Sequence, residues 1–220
     1  MFGEVEVVDD VPEAFAIAVV NAWQQRRRHF FSLVVSGGDL ARRCYEHLAA
    51  ATREVIDWSM VDLYWGDERL VPRRHPDSNE RLVREALINR VPPIRGVFPM
   101  RVEGTAEEYD ALVRKAAPFD VIHLGLGPDS HTASLFPGSD ALDAPIDRYV
   151  VDNSDPTGAN FHPRRTFTFA GIAMGDLVLV TVDGEEKREA FRRVRENDAS
   201  APASRIRAPQ VRWIVGERAL

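Results

Sequence analysis

The sequence predicts a single α/β domain, residues 1–220, in which helices flank a mainly parallel sheet. Two observations carry this. Short apolar runs alternate with segments of helical periodicity, the pattern of parallel strands joined by helical crossovers. Four of the apolar runs are also followed at once by polar, glycine-containing clusters: SGGD, GDER, GLGPDSH and DGEEK.

Taken in order, Pro12 to Arg28 carries apolar residues at helical spacing, with proline at its start and an arginine run at its end. FFSLVVS (Phe30 to Ser36) reads as a strand closed by Gly37-Gly38, and Leu40 to Ala51 as a helix. VDLYW (Val61 to Trp65) is the next strand, followed by GDER and a proline-containing loop to Asn79. Helices are expected over Glu80 to Ile88 and Ala106 to Ala117, then a strand over Asp120 to Leu126. LVLVTV (Leu177 to Val182) leads into the helix-like EEKREAFRRV, and VRWIV (Val211 to Val215) closes the sheet. No repeat or low-complexity segment interrupts the series. The layered, Rossmann-like arrangement this implies places ligands beyond the carboxyl ends of the strands, where the four polar clusters converge.

Bulk properties narrow the function. At 220 residues the chain can bury one sizeable core. A net charge of −6 argues against a general nucleic-acid binder. No apolar run approaches a membrane span, and the acidic start MFGEVEVVDD is unlike a signal peptide. Cys44 is the only cysteine, so no internal disulfide forms and a cytoplasmic location is the default.

Within the clusters, Ser36-Gly37-Gly38 is by itself a tight turn or a backbone cradle for phosphate at a helix start. Asp67-Glu68-Arg69 is a solvated charge run, or else a site in which Arg69 clamps phosphate while Asp67 or Glu68 holds a sugar hydroxyl. Lys187, one turn into a helix, is a second candidate phosphate cation. Asp129 and His131 are two residues apart, as in a general base steadied by a carboxylate or as two metal ligands. No HExxH and no cysteine set supplies a third ligand, and His75 and His162 lie apart in proline-rich loops, which disfavours a metal. Ser134 lacks the G-x-S-x-G elbow of a serine hydrolase. A general base activating water remains.

WGDERLVPRRHPDSN, GLGPDSHTASLFPG, VDGEEKREAF and PASRI occur in that order. With this combination the chain resembles the 6-phosphogluconolactonases, within a larger group that includes glucosamine-6-phosphate deaminases. The resemblance implies hydrolysis of 6-phospho-D-glucono-1,5-lactone without metal or organic cofactor, by a monomer or weak homodimer. By that resemblance His131 activates water and Asp129 orients it or contacts substrate. Arg69, Lys187 and the Gly37-Gly38 turn hold the 6-phosphate, and Ser36, Asp67, Glu68 and Gly127 complete the substrate-binding set. Two positions depart from the family pattern. Ser130 replaces the glycine of DGH and is strained if its φ is positive. Asp39-Leu40-Ala41 replaces Ser-Thr-Pro, and Asp39 is expected to cap its helix. Either Arg164 or Arg165 fits the family's arginine. Deaminases carry DGHIAFNEP at the histidine motif, with an acid that Thr132 to Pro137 lacks. A binding protein that kept the pocket and lost turnover is the non-enzymatic alternative.

Overall fold

The computed structural model describes residues 3–220. Its strands and helices follow in chain order. β1 (Glu4–Val8), α1 (Val11–Gln25), β2 (Phe31–Val35), α2 (Asp39–Thr52), β3 (Val61–Trp65) and β4 (Asp67–Arg69) come first. α3 (Asn79–Ala86), β5 (Gly96–Phe98), α4 (Ala106–Ala116), β6 (Phe119–Gly125), β7 (Val150–Asn153) and β8 (Arg164–Phe167) follow. α5 (Phe169–Ile172), β9 (Gly175–Val182), α6 (Arg188–Arg195) and β10 (Gln210–Gly216) complete the chain.

Seven strands form one sheet in the order β1-β10-β9-β6-β2-β3-β5, with every pairing parallel. The chain builds outward from β2 through β3 to β5, then returns to β6 and builds the other way. The strand order therefore reverses between β2 and β6, where a parallel sheet opens a crevice at its carboxyl edge. Burial explains why these strands were readable: β2, β3, β6 and β9 are covered by helices or loops on both faces, so they are almost continuously apolar.

Side-chain caps set the helix starts. Asp10 accepts from the Glu13 N–H at 2.9 Å and Pro12 occupies the first turn of α1. Ser78 caps α3, and Thr105 with Glu108 forms a reciprocal capping box on α4. α1 ends at Gln25, short of the expected Arg28, because the arginines have other partners. The Arg26 guanidinium lies 3.6 Å from the centre of the Trp23 ring, and Arg28 bridges Asp120 at 2.9 Å and Asp176 at 2.8 Å.

A second, antiparallel sheet in the order β4-β8-β7 lies beside the first. Sequence periodicity missed it, along with β1, β5 and α5. β7 and β8 carry charges that pair across the strands: Arg165 is 4% exposed and pairs with the exposed Asp152 at 2.7 Å. The β4–β8 pairing matters for function because it carries Arg69 to the end of β3 and draws residues 70–78 alongside residues 155–163.

Candidate active site

At the β2–β6 reversal, the loops after β2, β3, β6 and β9 line one cleft of about 230 Å³. Ser36, Gly37, Gly38, Asp67, Arg69, Gly127, His131 and Lys187 all face it, so most of the expected residues meet. Asp129 stands behind His131 with its Oδ1 2.5 Å from His131 Nδ1. The same oxygen accepts the His131 backbone N–H at 3.1 Å. This contact occupies Nδ1 and leaves Nε2 for the cleft. Partial burial raises the Asp129 pKa, but the hydrogen bond and charge of His131 prevail and hold it below the usual range. The carboxylate thus stays ionised at neutral pH and can steady an imidazolium.

The backbone that delivers this pair is strained. Ser130 adopts φ 71° and Ala133 φ 48°, left-handed values that L-residues with a Cβ disfavour. The departure from glycine at Ser130 is therefore a strained one, anchored by Ala203 N–H donating to the Ser130 carbonyl at 3.0 Å. Ser130→Gly should relieve about 1–2 kcal/mol of local strain, offset by about 0.4–1 kcal/mol of extra chain entropy on unfolding. The expected result is a Tm higher by roughly one to four degrees, read by thermal melting; a clear fall would show that the serine side chain stabilises the loop.

Gly127 lines the cleft, and its lack of a side chain has a steric reason. Its conformation is open to any residue, but an added Cβ would overlap the His131 ring and come within 2.7 Å of Asp129 Oδ1. It is the bare floor on which the imidazole rests. Gly37 is close-packed in the same way, since a Cβ there would overlap the Asn79 side-chain oxygen. Gly38 holds φ 98°, which glycine adopts without strain.

Asp39 does not cap α2. Gly38 is the N-cap, no side chain caps this helix, and the exposed Asp39 side chain lies one residue too late. Its charge still favours the helix start through the dipole. Among the described residues, the backbone N–H groups of Gly38, Asp39, Leu40 and Ala41 have no intramolecular acceptor, so they remain donors for an anion.

Glu68 is the expected residue that the structure takes out of the cleft. It is 3% exposed, and its carboxylate accepts the backbone N–H groups of Arg69, Asn79 and Glu80 at 2.7, 2.7 and 2.6 Å. The Ser78 hydroxyl adds a fourth bond at 3.2 Å. Burial pushes its pKa up to about 7 against the pull of those donors. It organises the start of α3 and has no free oxygen for a sugar. Asp67 lines the cleft, yet Oδ2 already accepts from the Ser134 hydroxyl at 2.7 Å. Ser134 is thereby a structural donor.

The two cations differ. Arg69 donates to the Asp77 carbonyl at 2.7 Å, which orients its guanidinium. The Lys187 ammonium makes no hydrogen bond or ion pair among the described residues, and burial lowers its pKa, although Glu186 and Asp129 oppose the shift. An unpaired, half-buried ammonium is a ready partner for phosphate. Arg165 is excluded from the cleft by its two bonds to Asp152 at 2.7 and 3.2 Å and a third to the Arg101 carbonyl. Arg164 lines a separate shallow cavity on the Pro156 side.

Sequence reasoning missed Asn79, Asn160 and a buried chain under the glycine turn. Asn79 borders the cleft, 1% exposed, with Nδ2 donating to the Asp67 carbonyl at 3.0 Å. Beneath the turn, the Ser36 N–H donates to Tyr45 Oη at 2.7 Å, so the phenol hydrogen goes to His123 Nδ1, also at 2.7 Å. His123 Nε2 then donates to Thr181 Oγ1 at 2.9 Å. Burial drives the His123 pKa down to about 3, so it works as a neutral spacer that fixes the carboxyl end of β2 against β9. One cue was present: a histidine inside the apolar stretch VIHL of β6.

His75 and His162 are not isolated, contrary to expectation. Pairing of β4 with β8, continued by Leu70 N–H to the Pro163 carbonyl at 2.8 Å, folds their loops together. His162 Nε2 lies 2.9 Å from Asp77 Oδ2. Among the described residues, no helix is long and apolar enough to cross a membrane.

Comparison with known proteins agrees with this geometry. Residues 4–215 match the family described as glucosamine-6-phosphate isomerases/6-phosphogluconolactonase. A 6-phosphogluconolactonase of Synechocystis sp. is 33% identical over 206 residues, covering 86% of this chain and 82% of the relative. One from Nostoc sp. is 34% identical over 196 residues, covering 82% and 78%. The crystal structure of 6-phosphogluconolactonase from Thermotoga maritima superposes with a TM-score of 0.86 at 26% identity, covering 97% of this chain and 99% of that one. The chain belongs to the glucosamine-6-phosphate isomerase/6-phosphogluconolactonase family.

Proposed function

We propose that this chain hydrolyses 6-phospho-D-glucono-1,5-lactone to 6-phospho-D-gluconate, with His131 as general base, in the oxidative pentose phosphate pathway. The observation that carries the reading is the Asp129–His131 pair facing the same cleft as the unpaired Lys187 ammonium. A water held by His131 Nε2 attacks the lactone carbonyl carbon and passes its proton to that nitrogen. The carbonyl oxygen gains the negative charge, the tetrahedral intermediate collapses by breaking the ring C–O bond, and the imidazolium returns the proton to the departing oxygen. Asp129 steadies the imidazolium throughout. Lys187, the N–H groups opening α2 and the guanidinium of Arg69 receive the 6-phosphate, and these remote contacts position the lactone over the base. Thr132 to Pro137 offers no acid for amino-sugar chemistry, which favours hydrolysis over deamination.

Glu4 and Glu6 lie on the exposed edge strand β1 and oppose pairing of two such edges, which supports a monomer or weak homodimer. The single cysteine, Cys44, is buried and unpaired, which fits a reducing cytoplasmic compartment.

Lys187→Ala tests the phosphate assignment. Loss of a charge-assisted contact, worth about 1.5–3 kcal/mol, should lower kcat/KM for the phosphorylated lactone roughly ten- to hundredfold. Turnover of unphosphorylated gluconolactone should change little, and Arg69→Ala should follow the same pattern. Equal damage to both substrates would remove these cations from the phosphate site.

A further inference from the structure

We propose that His75, Asp77 and His162 form a second site, joined to the cleft wall through Arg69, for a divalent transition-metal ion of the zinc or nickel class. One ligand atom from each residue lies within 4.8 Å of the other two. Asp77 Oδ2 is 2.9 Å from His162 Nε2 and 3.7 Å from His75 Nδ1. Metal–ligand bonds of about 2.0–2.2 Å place the ligands of a tetrahedral ion about 3.3–3.6 Å apart, so the two measured separations bracket the requirement. The His75 side chain is 38% exposed; its Nδ1 accepts the Asp77 backbone N–H at 3.1 Å, a bond that an ion at this nitrogen would displace.

The donor chemistry selects the ion. Two imidazoles and one carboxylate suit zinc, nickel or copper, whereas magnesium and calcium prefer oxygen ligands alone. Three protein ligands leave a fourth position for water.

The neighbouring arginines do not compete for these donors. Arg69 bonds the main-chain carbonyl of Asp77 at 2.7 Å, and Arg164 bonds that of His162 at 3.1 Å. Both fix the backbone of a ligand residue and leave its side chain for the ion. The rings pack in support: Phe161 lies tilted against His162 with ring centres 4.1 Å apart, and His75 meets His162 edge-on at 5.3 Å. An ion here would tie residues 70–78 to residues 155–163. Because the Asp77 carbonyl holds Arg69, the ion would also stiffen one wall of the cleft without touching reacting atoms.

The test is calorimetric titration of chelator-stripped full-length protein with zinc chloride and nickel chloride, with thermal melting alongside. The wild type should take up one equivalent saturably and melt higher with zinc. His75→Ala, Asp77→Asn and His162→Ala should each weaken binding about tenfold or more and lose the thermal shift, while His47→Ala and His131→Ala bind as the wild type does. The proposal is overturned if the wild type shows no saturable uptake. It is equally overturned if the three variants, folded by their zinc-free melting curves, bind as tightly as the wild type, or if binding disappears in His131→Ala instead.

Discussion

Replacing His131 with alanine should lower lactone turnover by about 10²–10⁴-fold and leave the fold intact. The side chain sits at the cleft surface, with Nδ1 bound to Asp129 and the ring 5.0 Å from Phe136, so its removal opens space toward solvent and creates no sealed cavity. KM should move far less than kcat, because phosphate recognition rests on other residues. Asp129→Asn should fall in the same direction by a smaller factor, since an amide still fills the position but cannot balance an imidazolium. The measurement is initial rate on freshly prepared lactone with the spontaneous rate subtracted. A His131→Ala enzyme working near the wild-type rate would remove the histidine from the mechanism.

Gly127→Ala should be nearly as damaging, although it deletes nothing. A methyl group at this position overlaps the imidazole, and the ring must move or tilt off Asp129. Displacement of a catalytic group by about 1 Å costs on the order of 10²-fold. The backbone at Gly127 is compatible with alanine, and its carbonyl and N–H continue to bond Ser130 and His131. Melting should therefore change little while kcat drops. A variant with full activity would mean that the loop yields without disturbing His131; a large loss of stability would mean that the clash is absorbed by the fold.

These two residues mark what the sequence could and could not disclose. The doubly covered strands were legible because burial on both faces demands apolar residues; FFSLVVS, VDLYW and LVLVTV leave little alternative. The motif positions were legible for a related reason, since polar clusters directly after such strands converge at the sheet's carboxyl edge. β4, β7 and β8 were not, because their charged side chains are satisfied by partners distant in sequence, as Arg165 is by Asp152. Glu68 illustrates the same limit: a carboxylate in a motif reads as a ligand until its backbone donors are seen. Gly127 was identified as part of the site, but its purpose is steric and depends on where the imidazole lies. Asp39 reads as a cap, yet the helix begins one residue earlier than a side-chain cap at that position would require. The convergence of His75 and His162 depends wholly on the pairing of β4 with β8, which local periodicity does not encode.

The most direct test of the central claim is a pair of assays on one preparation of the protein. Hydrolysis of fresh 6-phospho-D-glucono-1,5-lactone is followed against its spontaneous rate, and ammonia release is followed with glucosamine 6-phosphate. The account predicts strong acceleration of lactone opening, abolished with His131→Ala, and no ammonia. Ammonia release without lactone acceleration would assign the cleft to amino-sugar chemistry, and silence in both assays would leave it a binding site without turnover.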